Sequence, residues 1–127
     1  MIRSHLIIAG IIVVGLAAGL HFLSLENETN KHTKPVGEYV VTLKPDGYEP
    51  SELEIPVGST VTFVSETGKS HWPASNLHPM HEIYPEFDSK RPVPADESWS
   101  FTFDRAGTWD MHDHLRAYYI GTIRVVE

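Results

Sequence analysis

Histidine carries most of the chemistry this sequence can offer. The 127-residue chain holds 8 histidines, and five of them, His71, His78, His81, His112 and His114, fall in two groups in the C-terminal half. His112 and His114 flank Asp113 in Gly107-Thr-Trp-Asp-Met-His-Asp-His114, a stretch that reads as a β-strand entering a short loop. Strand side chains alternate faces, so the two imidazoles point one way and Asp113 the other. At roughly 3.3 Å per residue their Cα atoms lie about 6.5–7 Å apart, a span that two rings can close around one metal ion. His78-Pro-Met-His81 supplies a second pair, three residues apart across a proline turn, which also brings side chains together.

Imidazole suits copper and zinc, and three or four neutral rings at about 2.0–2.1 Å hold either ion. The intrinsic affinity order favours Cu²⁺ over Zn²⁺. The candidate ligands are therefore His71, His78, His81, His112 and His114, with copper the expected metal and zinc the alternative. One of His78 and His81 can instead orient a ligand through its other nitrogen. Bland roles compete: His71 as a hydrogen-bonded loop residue beside Trp72, and His112 as a solvated side chain. Asp113 is expected to bind the metal, to pair with Arg116, or, the preferred reading, to hydrogen-bond a ligand imidazole. Glu82, Glu86 and Asp88 read as surface charge.

These residues sit in a chain whose composition narrows its function. There is no cysteine, hence no disulfide, no thiolate nucleophile and no zinc ribbon. Seventeen acidic residues against 10 basic give a net charge of −7, and no Lys/Arg-rich run exists, which argues against nucleic-acid binding. Arg3 precedes Leu6 to Leu20, which is apolar or glycine throughout, the layout of a signal anchor. Extension to Leu25 gives the length needed to span a bilayer. Residues 1–25 are thus expected to be a transmembrane anchor, with a cleaved signal as the alternative. The rest of the chain would face the extracytoplasmic (periplasmic or extracellular) side. Residues 26–35 are polar and aperiodic, a tether.

From 36 to 127 the pattern is all-β. Tyr39–Leu43, Glu52–Ile55, Ser59–Ser65, Ser98–Phe103, the strand from Gly107, and Tyr119–Val126 alternate or run apolar between turns. Trp99, Phe101 and Phe103 share one inward face. A long irregular stretch from His71 to Ala95 holds five of the 9 prolines. Such short strands at turn-punctuated intervals imply a two-sheet sandwich.

Three segments resemble the cupredoxins, the blue-copper sandwich family: Gly58 to His71, Glu97 to His112, and Gly121 to Val126. The resemblance covers roughly residues 36–127 and implies a Greek-key β-sandwich. It also implies that His71 stands at the first copper-ligand position, Asp113 at that of the thiolate, Arg116 at the second histidine and Tyr119 at the axial methionine. Three of four positions depart, and a blue electron-transfer site, which needs the thiolate, is excluded. His78-Pro-Met-His81 and His112-x-His114 are similar to ligand motifs of multicopper oxidases, but Ile83 stands where the next histidine belongs and no second cupredoxin domain is expected within these 127 residues. The expectation is a membrane-anchored, exported copper-binding protein with a non-blue histidine site. It would capture or transfer copper, with a redox or copper-transfer protein as possible partner. A small copper-dependent redox enzyme and a metal-free docking domain are the alternatives. An enzyme is the less favoured of these, because no general acid or substrate pocket is legible beyond Asp113.

Overall fold

A computed structural model of the protein describes residues 34–127. The expected membrane anchor (1–25) and nearly all of the tether (26–35) lie outside the described residues. Among the described residues no helix is long and apolar enough to cross a membrane.

Eight strands follow in order: β1 (Glu38–Lys44), β2 (Gly47–Glu49), β3 (Glu52–Pro56), β4 (Thr60–Ser65), β5 (Pro73–Ser75), β6 (Trp99–Thr102), β7 (Gly107–Asp113) and β8 (Arg116–Val126). They form two four-stranded sheets, β2-β1-β4-β6 and β3-β8-β7-β5. The pairs β1/β4 and β3/β8 run parallel, and the other neighbours are antiparallel. The all-β two-sheet sandwich expected from the periodicity is what the chain adopts.

Period-two patterning explains the layering. Val41 and Leu43 of β1, Val61 and Phe63 of β4, Ile55 of β3, Met111 of β7, and Ile123 and Val125 of β8 all turn inward and are buried together. Of the expected inward stripe, Phe103 is fully buried in this cluster, and Trp99 and Phe101 pack against it from partly buried positions, joined by Trp109. Gly107 has φ 152°, and a Cβ there would lie 2.7 Å from the Trp109 ring. The turn into β7 therefore needs glycine, since the indole lies flat against its backbone.

The irregular stretch between β5 and β6 is not a detached loop. Tyr84 and Phe87 are fully buried in the main core, and Phe87 lies 5.6 Å from Phe63 and 4.9 Å from Phe103 between ring centroids. Tyr84 donates its hydroxyl to Asp104. Burial of each ring is worth about 1.5–3 kcal/mol, so the segment is anchored as firmly as a strand. Backbone bridges His71 to Val93 and Ala74 to Asp88 fasten its ends.

Candidate metal centre

The site lies where the alternation of β7 breaks down. Thr108 and Asp110 are exposed on its outer face, while Met111 turns into the core. His112 continues the outer face, yet it is only 2% exposed. The segment after β5 covers it. His112 Nδ1 donates to Asn76 Oδ1 at 2.9 Å, and His78 Nδ1 lies 3.2 Å from His112 Nε2. His81, 5% exposed, brings its Nε2 within 2.9 Å of His114 Nδ1. One nitrogen from each of His78, His81, His112 and His114 lies within 4.8 Å of all the others.

The outer nitrogens fix which lone pairs face inward. His81 Nδ1 lies 2.8 Å from Asp88 Oδ2, and both side chains are buried. An ionised carboxylate only accepts, so His81 carries its proton on Nδ1 and presents the Nε2 lone pair to the cluster. Asn76 Oδ1 does the same for His112. Without metal, His78 and His114 then donate their Nδ1 protons to those two lone pairs. For Nδ1 of His78 and His114 to hold an ion their protons would move to Nε2, and the set offered would then be two Nε2 and two Nδ1 lone pairs.

Asp88 is itself tightly held. Trp72 Nε1 and the Lys90 backbone N–H both donate to its Oδ1 at 2.7 Å. Burial pushes its pKa up, but the bonds from Trp72, His81 and Lys90 outweigh that and hold it down at about 2. The Trp72 ring also packs against that of His114, with centroids 4.4 Å apart and the planes tilted by 36°, and its carbonyl accepts the His114 backbone N–H at 2.8 Å. His81 has φ 56°, in the left-handed region. That costs about 1–2 kcal/mol for a residue with a Cβ, and its ring is fixed from both sides. Burial, then the neighbouring His81, His78 and His114 rings, push the His112 pKa down to about 4. Burial, then the His81 and His78 rings, lower that of His114. Both rings are therefore neutral, the state that ligates.

The donor set fits a metal of the copper or zinc type. Bonds of about 2.0–2.1 Å place tetrahedral donors about 3.3 Å apart and opposite donors no more than about 4.2 Å apart. The contacts of 2.9 and 3.2 Å would open by a few tenths of an ångström, and separations of up to 4.8 Å would close by no more than about 0.6 Å for a planar set or about 1.5 Å for a tetrahedral one.

His71 and Asp113, both among the expected metal residues, are not brought into this cluster. Asp113 is on the inner face of β7, with its carboxylate saturated by Trp72 N at 2.8 Å, Leu115 N at 3.2 Å, and Arg116 Nε and guanidinium at 2.9 and 2.8 Å. It makes the Arg116 pair rather than the preferred bond to an imidazole. That relay is made by Asp88, which was expected to be surface charge and is buried instead. His71 is fully buried, and neither ring nitrogen has a hydrogen-bond partner among the described residues. Burial lowers its pKa. At this inner pole the Arg116 guanidinium stands beside the saturated carboxylate.

Asn76 and Asp88 are the residues that sequence reasoning missed. The available signal was weak: Asp88 directly follows the aromatic Phe87 inside an irregular stretch.

No protein-family model matches the sequence. Amicyanin of Paracoccus denitrificans is 34% identical over 77 residues, covering 60% of this chain. The chain spans only 56% of that amicyanin's length. Among solved structures, a Cu(I) form of amicyanin superposes with a TM-score of 0.61 at 27% identity, covering 72% of this chain and 85% of that one. A purple cupredoxin from Nitrosopumilus maritimus gives 0.60 at 22%, covering 69% and 99%. The chain has a cupredoxin fold. A Cu-containing nitrite reductase from Thermus scotoductus also matches this cupredoxin-fold domain, with a TM-score of 0.59 at 28% identity. It covers 73% of this chain and 22% of the enzyme. Within this cupredoxin fold there is no cysteine, and the four-histidine cluster fits a non-blue, histidine-rich site.

Proposed function

We propose that this protein is an exported, membrane-tethered copper-binding protein that captures or hands on copper through His78, His81, His112 and His114. One observation carries the reading: four imidazole nitrogens from two separated segments share one centre, and Asp88 and Asn76 fix two of them from behind. Incidental histidines on a docking domain have no reason to converge with their outer nitrogens so placed. One of the similar amicyanin structures is a Cu(I) form and the Thermus enzyme is Cu-containing, and the intrinsic affinity order favours Cu²⁺ over Zn²⁺ at such a site. Copper held there would act as a cation gripped by neutral nitrogen donors. Without a thiolate it would be pale rather than intensely coloured. Placement outside the cytoplasm, with Leu6 to Leu20 as the anchor, follows from the apolar N-terminal segment behind Arg3.

The test is titration of the purified full chain with Cu²⁺ and Zn²⁺, read by calorimetry and electron paramagnetic resonance. The expected result is one Cu²⁺ per chain, with nitrogen superhyperfine structure, bound more tightly than Zn²⁺ and lost in the His112→Ala, His114→Ala double variant. Failure to bind Cu²⁺ below about micromolar Kd would overturn the copper reading. Preference for Zn²⁺ would replace the metal while keeping the site.

A further inference from the structure

The four imidazoles are not equivalent. His81 and His112 are buried, and each has its outer nitrogen fixed. His114 is half-buried and backed by Trp72. His78 is exposed, and its one side-chain hydrogen bond to a described residue is the Nδ1 contact with His112. Within a cluster so held, the ligand that gives way first is the one with nothing behind it.

Beside that weak member stands a donor of a different kind. Met80 lies between His78 and His81 in the sequence and is 67% exposed, with Leu77 at 64% just before them. An exposed methionine is open to oxidation and contributes nothing to the core. A flexible thioether next to a releasable imidazole, however, is suited to one task. Thioether sulfur is soft and selects Cu(I) over Cu²⁺ or Zn²⁺.

We propose that His78 and Met80 form the exit of the site for copper already held there as Cu(I), with His78 releasing it and the Met80 sulfur holding it in transit to an acceptor bearing soft sulfur donors. This inference rests on the copper reading above and specifies the form in which the metal is exchanged. The step is a ligand substitution: one Cu–N bond breaks as one Cu–S bond forms, with no change in oxidation state.

The experiment is stopped-flow transfer of Cu(I) from the loaded full chain to a water-soluble Cu(I) chelator. Met80→Leu keeps the volume and removes the sulfur, and transfer is expected to slow by about tenfold. Met80→Cys restores a soft donor and is expected to recover most of the rate. Equal rates for wild type and Met80→Leu overturn the inference. A Met80→Cys variant as slow as Met80→Leu overturns it too, since the effect would then not be one of sulfur. Both outcomes leave the copper reading standing, whereas a wild-type chain that takes up no copper ends both.

Discussion

His81 and Asp88 face each other across 2.8 Å, both buried, seven residues apart in a segment without regular structure. The carboxylate selects the tautomer of the imidazole, and two further donors pin the carboxylate. Asp88 thus positions one imidazole of the cluster without entering the cluster itself.

Asp88→Asn should weaken copper binding by about 10–100-fold, the usual cost of losing a partner behind a ligating histidine. Isothermal titration against a competing chelator measures it. A structural role alone would lower Tm and leave Kd unchanged.

His71→Leu should hold or raise stability, by up to about 1 kcal/mol, because both ring nitrogens are buried without partners and leucine has no such need. Copper affinity should not move. Urea unfolding and copper titration of the variant check both statements. A large loss of copper binding would return His71 to the ligand set.

Arg116→Ala should destabilise the protein by about 3–5 kcal/mol, since it leaves the fully buried Asp113 carboxylate without its counter-charge. Arg116 also donates to the Ser70 carbonyl at 2.6 Å, so the variant loses a second tie across the same pole. The paired Asp113→Asn, Arg116→Gln variant should lose less than Arg116→Ala, because no buried charge is stranded. Chemical denaturation of the three proteins decides.

Acid should weaken the metal-free protein in a defined window. His112 ionises at about 4 in the folded state, against about 6.5 in an unfolded chain. Between those values the unfolded state binds more protons, so stability rises with pH and is lost as pH falls below about 6.5. His71 is lowered in the same direction by burial. Asp88 extends the loss at lower pH, since its contribution is present above about 3.9 and disappears as pH approaches about 2. Tm measured from pH 7 to pH 4 should fall less steeply for His112→Asn than for the wild-type protein.

The strand pattern was readable because period-two burial is a local property of residues such as Val61, Phe63 and Met111. The pair His112 and His114 was readable for the same reason. His78 and His81 were recognised by type and spacing, but their arrival over the outer face of β7 depends on where Tyr84 and Phe87 insert, a long-range fact with no local signature. Asp88 looked like surface charge because nothing near it in sequence announces Trp72 and His81 as its partners. His71 was judged by its position in related chains, and the Asp113–Arg116 pair beside it sets it apart from the four clustered rings.

Tyr84 and Phe87 fill the hydrophobic interior from the same segment that carries His78, His81 and Asp88. That segment cannot swing clear to admit or discharge an ion without tearing two aromatic rings out of the sandwich. Were an ion held by these rings, its traffic would be confined to side-chain motion at the outer margin, and a protein caught half-unfolded would have neither a core nor a converged histidine cluster.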